Sequence, residues 1–277
     1  MREGQEARSA DVLIAGATFA GLGLAGRLGK QAVVVERTGF VGPEFTSSYC
    51  RAVIHGTAKG SAEAQALRSE AQERNLIASD GAIHSPAFVP VLHRLIQREG
   101  INVRFLTRVI QVDAQPMGGF AVTLMDGSGL SVLHVKCIVD TTGLCDTSPL
   151  TASMSPVKRR LNAMIHHPGA PEEVPPRCSG YELHRGRFPS EWMVGCELAP
   201  TDDWAAARDR LLTHWRQRPE ALKPWQLATI ADAFEVMVKA GTCDIASGWV
   251  WHPSAAYRDP IAAYEAGIQL ALEVLTP

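Results

Sequence analysis

The first forty residues contain the pattern that most restricts the fold. Two short apolar runs, residues 11–15 and 31–36, flank the glycine-rich segment GATFAG and an Ala/Leu/Gly-rich stretch that extends to about Leu28. Short apolar runs on either side of a tight turn and a helix are typical of a buried parallel βαβ unit. The second run ends on Glu36, twenty positions after Gly16. This order and spacing predict a dinucleotide-binding βαβ unit.

The residue types suit that function. Gly16 makes the tight turn, and Gly21 allows the helix to pack closely on the strand. The first helical residues, Phe19 and Ala20, present N–H groups and the positive end of the helix dipole to a pyrophosphate. Glu36 accepts hydrogen bonds from both hydroxyls of a ribose.

Thr18 departs from the usual G-x-G-x-x-G pattern, because it replaces the middle glycine. Its Cβ occupies the position where the backbone normally approaches the pyrophosphate. Two alternatives follow. Either the Thr18 hydroxyl binds a phosphate oxygen, or dinucleotide binding is impaired and the fold is retained as a scaffold.

Composition excludes several classes of protein. The chain has 277 residues, 46% of them hydrophobic, and a formal net charge of −2. This fits a globular protein of one or two domains and argues against disorder. This near-neutral net charge indicates neither a nucleic acid nor a membrane as partner. No run approaches the roughly 20 apolar residues of a membrane span. The polar N-terminus lacks a signal peptide's apolar core and is expected to be a frayed lead-in, which favours a cytoplasmic enzyme.

The cysteine and histidine patterns indicate neither disulfides nor a metal. The six cysteines are scattered, without a C-x-x-C pair or a zinc-type doublet, and are expected to be reduced thiols. His166 and His167 are adjacent, so they point in opposite directions in a strand, and the sequence offers no third ligand at a usual spacing.

The chain beyond the βαβ unit predicts a parallel sheet with an antiparallel excursion. Residues 88–98 have helical apolar spacing, and residues 101–106 resemble the next parallel strand. Three short runs follow at residues 109–114, 120–125 and 130–136, separated by two glycine-rich hairpin signals. Residues 137–140 return to a buried strand that ends in Thr141-Thr142-Gly143.

Taken together, these segments resemble the FAD-dependent oxidoreductases of the glutathione-reductase-type Rossmann fold, the class that includes flavin monooxygenases and oxidases. The resemblance is carried by GATFAG with VVVERTGFVG, by the helix–strand–meander that leads to VDTTG, and by the C-terminal segment. It implies an α/β fold, with a Rossmann-type FAD-binding domain and a small substrate-facing α+β region. It also implies FAD as cofactor.

The C-terminal segment is similar to the family's third flavin motif. The similarity implies that Asp244 binds the ribityl chain, with Cys243 in place of the usual glycine. Pro260 fits the first turn of the last helix, with Asp259 as its N-cap. The resemblance points the start of this helix, at Ile261, at the flavin pyrimidine ring, where its dipole favours anionic reduced flavin.

The remaining flavin contacts are implied by the same resemblance. VDTTG corresponds to the second flavin motif, and the backbone near Val109 meets the adenine. Arg51 and His84 are lesser candidates for phosphate or substrate contact. The implied flavin site comprises Gly16, Thr18, Phe19, Ala20, Gly21, Glu36, Arg37, Arg51, Val109, Thr142, Gly143, Asp244 and Ile261.

The middle of the chain is predicted to face the substrate. Strands are expected at residues 158–165 and 191–198, and helices at 202–218 and 225–238. The predicted division is residues 9–149 and 240–277 for the FAD-binding domain and 150–239 for the substrate-facing region. Because this region is small for the family, its pocket is expected to stay open or to be completed by a second copy or a partner subunit.

The predicted function is a FAD-dependent oxidoreductase that acts on a small molecule or on a carrier- or protein-bound intermediate, in biosynthesis. The loop before the last helix is rich in groups that orient substrates or exchange protons, and its catalytic candidates are His252, Tyr257 and Arg258. The alternative is a flavin-fold subunit or scaffold with weak catalysis or none, which Thr18 and Cys243 both permit.

Overall fold

The computed structural model describes residues 8–54, 60–153, 158–239 and 241–274. Most of the predicted N-terminal lead-in, Ala240 at the predicted domain boundary and the last three residues lie outside the described residues. The α-helices are α1 (Phe19–Leu28), α2 (Pro43–Thr46), α3 (Ala62–Glu73), α4 (Phe88–Glu99), α5 (Pro149–Ser153), α6 (Trp204–Arg216) and α7 (Pro260–Val274). No helix in these ranges is both long and apolar enough to cross a membrane.

The strands are β1 (Arg8–Ser9), β2 (Val12–Ala15), β3 (Ala32–Val35), β4 (Val103–Arg104), β5 (Arg108–Ala114), β6 (Phe120–Asp126), β7 (Gly129–Val135), β8 (Cys137–Asp140), β9 (Lys158–His166), β10 (Glu182–Arg185), β11 (Trp192–Glu197), β12 (Gln226–Ile230), β13 (Glu235–Met237), β14 (Cys243–Ala246) and β15 (Trp249–Trp251).

The central sheet has the strand order β14-β15-β8-β2-β3-β4. Strands β15, β8, β2, β3 and β4 are parallel, and β14 is antiparallel to β15. Alternate residues of a strand face opposite sides of a sheet. Accordingly, Val12 and Ile14 pack with α1, α4 and α7, whereas Leu13 and Ala15 pack on the other side.

That other side is covered by a meander. Strands β5, β6 and β7 are antiparallel neighbours, and β1 joins β7 in parallel. Phe120, Val122 and Leu124 of β6 share a core with Leu13 and Val33 of the central sheet. The predicted α/β fold with its three-stranded excursion is therefore confirmed, and the meander strands begin and end within a residue of their predicted bounds.

The third sheet is built from the middle of the chain. Its order is β10-β11-β9-β12, and β13 also pairs with β9, next to β12 along that strand. All pairs are antiparallel. Helix α6 packs on it through Leu211 and Trp215, which share a core with Leu161, Leu222 and Trp225. The domain boundaries given above stay a prediction.

The predicted helix at residues 225–238 is wrong. This segment forms β12 and β13, joined by a turn in which the N–H groups of Asp232 and Ala233 both donate to the carbonyl of Ser47. Over so short a stretch, the spacing of its apolar residues fits both the helical and the strand period. Pairing with β9 makes the segment β-strand. Helix α3 was not predicted, and α6 begins at Trp204, with the Asp203 carboxylate accepting from the Ala206 N–H.

Candidate active site

A cleft of about 460 Å³ opens at the carboxyl ends of β2, β3 and β8. This is the edge of an open parallel sheet where ligands bind in doubly wound folds. One wall is the meander at residues 107–110. The opposite wall comes from the third-sheet region, through Trp204 and the turn between β12 and β13.

Glycine is required at two positions, one in the turn after β2 and one in the first turn of α1. Gly16 has a φ of +97°, and a Cβ there would lie 2.9 Å from Cγ2 of Thr142. A Cβ on Gly21 would lie 2.3 Å from the carbonyl oxygen of Gly16. The turn and the close helix–strand approach therefore both have the geometry that the sequence predicts.

The Thr18 hydroxyl is fully used inside the protein. It accepts from the Gly21 N–H at 2.9 Å and lies 2.7 Å from the Thr141 hydroxyl. Because Thr141 donates to the carbonyl of Ala15 at 2.9 Å, Thr18 is the donor between the two hydroxyls. Thr18 thus caps α1, and its single hydrogen is not available to a phosphate oxygen.

Glu36 follows β3 and is buried in the cleft wall. Its Oε2 accepts from the Ala17 N–H at 3.0 Å, and its Oε1 accepts from the N–H and the hydroxyl of Thr38 at 2.8 and 2.6 Å. Burial raises the pKa of Glu36, and the Thr38 hydrogen bonds oppose that effect. The carboxyl is therefore held rigidly at the position where a dinucleotide ribose is expected.

Two residues that the sequence analysis missed, Glu44 and Ser254, lie at the N-terminus of α1. The Glu44 Oε1 accepts from the Phe19 N–H at 2.8 Å and from the Ser254 hydroxyl at 2.6 Å. The Ser254 Oγ in turn accepts from the Ala20 N–H at 3.2 Å. The Glu44 Oε2 is buried without a hydrogen-bond partner, and burial raises the pKa of this carboxyl to about 7. No linear motif connects these residues.

A second, smaller cavity of about 40 Å³ adjoins the cleft and shares Glu44, Val236 and Ala255 with it. Glu235 and Arg258 line this cavity and form an ion pair of 3.2 Å. Glu235 is buried, whereas the Arg258 side chain is 56% exposed.

Glu235 is held from a second side by the third sheet. Its Oε2 accepts from the side-chain amide of Asn162 at 3.0 Å, and that amide also donates to the carbonyl of Ser48 at 2.9 Å. Neither Glu235 nor Asn162 was singled out from the sequence, since each is an isolated polar residue in an apolar run.

The structure brings many of the predicted flavin residues together. The cleft lining includes Gly16, Thr18, Glu36, Arg37, Val109, Thr142 and Gly143. Phe19, Ala20 and Gly21 lie behind them, with their N–H groups directed at side-chain oxygens. Arg37 forms an ion pair of 3.3 Å with Asp146.

Besides Phe19, Ala20 and Gly21, four residues of the predicted flavin and catalytic sets lie outside both cavities: Arg51, Asp244, His252 and Ile261. Asp244 needs a correction, because it is exposed on β14, the antiparallel edge strand, rather than beside the cleft. The residues that reach the cleft edge from this part of the sheet follow β15 instead, and Ser254 and Ala255 are among them. The Ile261 N–H donates to the Asp259 carboxylate at 2.8 Å, which confirms the predicted N-cap.

Two of the three catalytic candidates, His252 and Tyr257, are in contact. His252 is buried, with Nε2 3.1 Å from the Tyr257 hydroxyl and Nδ1 3.0 Å from the Thr242 hydroxyl. Burial lowers the pKa of His252, so the imidazole is neutral near pH 7. Tyr257 and Arg258 line the smaller cavity. His84 pairs instead with Glu191 at 2.8 Å.

Comparison with known proteins identifies the family. The family described as FAD dependent oxidoreductase matches residues 11–258. The chain belongs to the FAD-dependent oxidoreductase family. A search of the curated proteins gave no match.

Solved structures show the same fold at low sequence identity. The p-nitrophenol 4-monooxygenase of Pseudomonas putida is 14% identical, with a TM-score of 0.59 over 97% of this chain and 80% of that one. The glycine oxidase of Geobacillus kaustophilus is 12% identical, with a TM-score of 0.62 over 96% and 95%. An aklavinone-11 hydroxylase, solved with FAD and aklavinone, is 14% identical, with a TM-score of 0.57 over 99% of this chain and only 63% of the hydroxylase.

The cofactor of this oxidoreductase is FAD, and the cleft fits it. Gly16, with its φ of +97°, lines the cleft, and Glu36 presents a buried carboxyl at the end of β3. Val109, Thr142 and Gly143 complete the lining on the far side. One feature is unusual for an anion site, since the Phe19 and Ala20 N–H groups already have partners within the chain.

Proposed function

We propose that this enzyme oxidises or hydroxylates a small molecule at the inner end of the cleft, beside Glu235 and Arg258. The proposal rests on one observation. The smaller cavity shares its walls with the cofactor cleft and ends at a polar pair contributed by two different parts of the chain. Bound FAD supplies the two-electron redox chemistry, and the protein supplies binding and orientation.

Arg258 is suited to orient the substrate. Its exposed guanidinium is anchored at one end by buried Glu235, and Asn162 fixes Glu235 in turn. An anchored guanidinium binds a carboxylate or another polar oxygen with little loss of side-chain entropy. We therefore expect a substrate with an anionic or strongly polar group, free or attached to a carrier.

Tyr257 and His252 are suited to move a proton. Tyr257 lines the smaller cavity, and its hydroxyl is hydrogen bonded to Nε2 of neutral His252. A neutral imidazole next to a hydroxyl acts as a general base through that hydroxyl. The apolar walls at Val236 and Ala255 limit water at this end, which strengthens each polar contact.

The first test follows flavin reduction in the FAD-loaded protein without oxygen. Loss of the flavin absorbance on addition of NADPH supports a monooxygenase, and its loss with an amino acid or hydroxy acid supports an oxidase or dehydrogenase. With a substrate in hand, we expect Tyr257→Phe to keep FAD but lower turnover ~10²-fold or more. Arg258→Ala should mainly raise KM, and the exposed Arg185→Ala serves as the control. Parental kinetics in both site variants would place the catalytic groups elsewhere.

A second candidate function is a flavin-fold subunit with weak catalysis or none. It is favoured by the occupied N–H groups at the start of α1, which leave fewer donors for a pyrophosphate. In that case a second copy or a partner chain would complete the open pocket. Colourless purified protein that gives no change in flavin fluorescence on titration with FAD would support this alternative.

A further inference from the structure

The N-terminus of α1 already holds a carboxyl group that belongs to the chain. Three consecutive N–H groups, those of Phe19, Ala20 and Gly21, donate to the side chains of Glu44, Ser254 and Thr18 respectively, at 2.8, 3.2 and 2.9 Å. The start of a helix attracts negative charge because its N–H groups and its dipole both point there. Within this βαβ unit, it is also the position expected for the diphosphate of FAD.

Only one of the two oxygens of the Glu44 carboxyl has hydrogen-bond donors. Its Oε1 has two donors, whereas its Oε2 is buried without a partner, although the residue as a whole is partly exposed along the cleft. A buried carboxylate oxygen without a donor disfavours the ionised form.

The charged and titratable groups around Glu44 come from four elements. They are Glu36 after β3, Cys50 after α2, Glu235 on β13, and Tyr257 and Arg258 before α7. Arg258 is the cation among them, and it is paired with Glu235. These five groups therefore do not compensate a second negative charge.

We propose that Glu44 is an internal anion that shares the diphosphate end of the cleft with FAD, and that the cofactor binds with Glu44 protonated. Each FAD bound above neutral pH then takes up one proton. The reason is electrostatic, because a diphosphate and a carboxylate at one helix N-terminus repel each other at low dielectric. Protonation removes that repulsion and supplies a donor on the otherwise unpartnered Oε2.

The expected size follows from proton linkage. The pKa of Glu44 is about 7 in the free protein, and a bound diphosphate raises it further. Above pH 7 the dissociation constant for FAD then rises about tenfold per pH unit, so that FAD binds roughly 100-fold more weakly at pH 9 than at pH 6. Binding at pH 8 should take up close to one proton per FAD.

The test titrates FAD into the full chain, freed of flavin, from pH 6 to pH 9, with flavin fluorescence as the readout. Glu44→Gln keeps an oxygen that accepts from Phe19 and Ser254 but cannot ionise. We expect this variant to lose the tenfold-per-unit rise and to bind FAD about 100-fold more tightly than the parent at pH 9. Glu63→Gln, at an exposed carboxylate paired with Arg27, should retain the parental pH dependence.

A parental dissociation constant that stays flat from pH 6 to pH 9 would overturn the inference, as would an unchanged slope in Glu44→Gln. If Glu44→Gln does not fold, proton uptake by the parent, measured in weakly buffered solution at pH 8, decides the question. Uptake near zero contradicts the proposal. The inference rests on FAD as the cofactor. Absence of FAD binding by both proteins at every pH would instead overturn the flavin function itself.

Discussion

Replacing Glu36 by alanine should weaken both the fold and the binding of FAD. Its carboxyl accepts from the buried Ala17 N–H at 3.0 Å and from two Thr38 donors. Without it the Ala17 N–H has no partner in the cleft wall, which costs about 1–3 kcal/mol in the free energy of unfolding. A carboxylate that binds two ribose hydroxyls contributes up to about 1.5–3 kcal/mol per hydrogen bond, so FAD affinity should fall at least tenfold.

Two measurements separate these effects. Urea unfolding, followed by tryptophan fluorescence, reports the stability of the flavin-free chain, and titration with FAD reports affinity. The matched control is Glu63→Ala, since Glu63 is exposed and pairs on the surface with Arg27 at 3.3 Å. This control should change stability by less than about 0.5 kcal/mol and leave affinity unchanged. If Glu36→Ala binds FAD as tightly as the parent, Glu36 does not contact the ribose and the assignment of the cleft is wrong.

Two further predictions concern the packing of α1 and the acidic groups beside it. Gly267→Ala should lower the free energy of unfolding by about 1–3 kcal/mol, because the new Cβ would lie 1.9 Å from the carbonyl oxygen of Ala20 and would push α7 away from α1. The control is Gly127→Ala, whose Cβ meets no atom within 4 Å and which should leave thermal unfolding unchanged. The pKa of Glu44 is raised in the folded state from 4.5 to about 7, so folding favours the protonated carboxyl. As the pH rises from 4.5 to 7, the contribution of Glu44 to the free energy of unfolding of the flavin-free chain should therefore fall by about 3 kcal/mol. Urea unfolding across this range should show a loss that is larger in the parent than in Glu44→Gln by about this amount, because the other buried carboxyls titrate in both proteins.

The βαβ unit and the meander were predictable because their contacts are local. The βαβ unit lies within residues 11–36, and each meander strand pairs with a strand only a few residues away along the chain. Over such distances, apolar period, glycine turns and hairpin signals all favour the same structure. Glu36 and Gly16 could be assigned to the cleft for the same reason, since the spacing of a βαβ unit leaves little freedom in where its two strand ends lie.

The third sheet depends on contacts that the sequence does not display. Strands β12 and β13 pair with β9, sixty or more positions earlier, and the apolar spacing of residues 226–237 fits a helix as well as a strand. Asp244 illustrates the same limit at the site. Its neighbouring residues resemble a flavin motif, but β14 folds back along the outside of β15 and leaves this side chain exposed.

The sequence by itself determined that this chain builds a dinucleotide cleft at the end of β2. Tertiary structure alone decided which side chains occupy the N-terminus of α1. Glu44 reaches the Phe19 N–H across 25 positions of sequence, and Ser254 reaches the Ala20 N–H across 234. A helix N-terminus leaves N–H groups that must find acceptors, but the sequence does not specify which side chains will supply them. That choice follows from how the loops after β3 and β15 pack against α1, and it places an ionisable carboxyl at the helix N-terminus where we propose that the diphosphate of FAD binds.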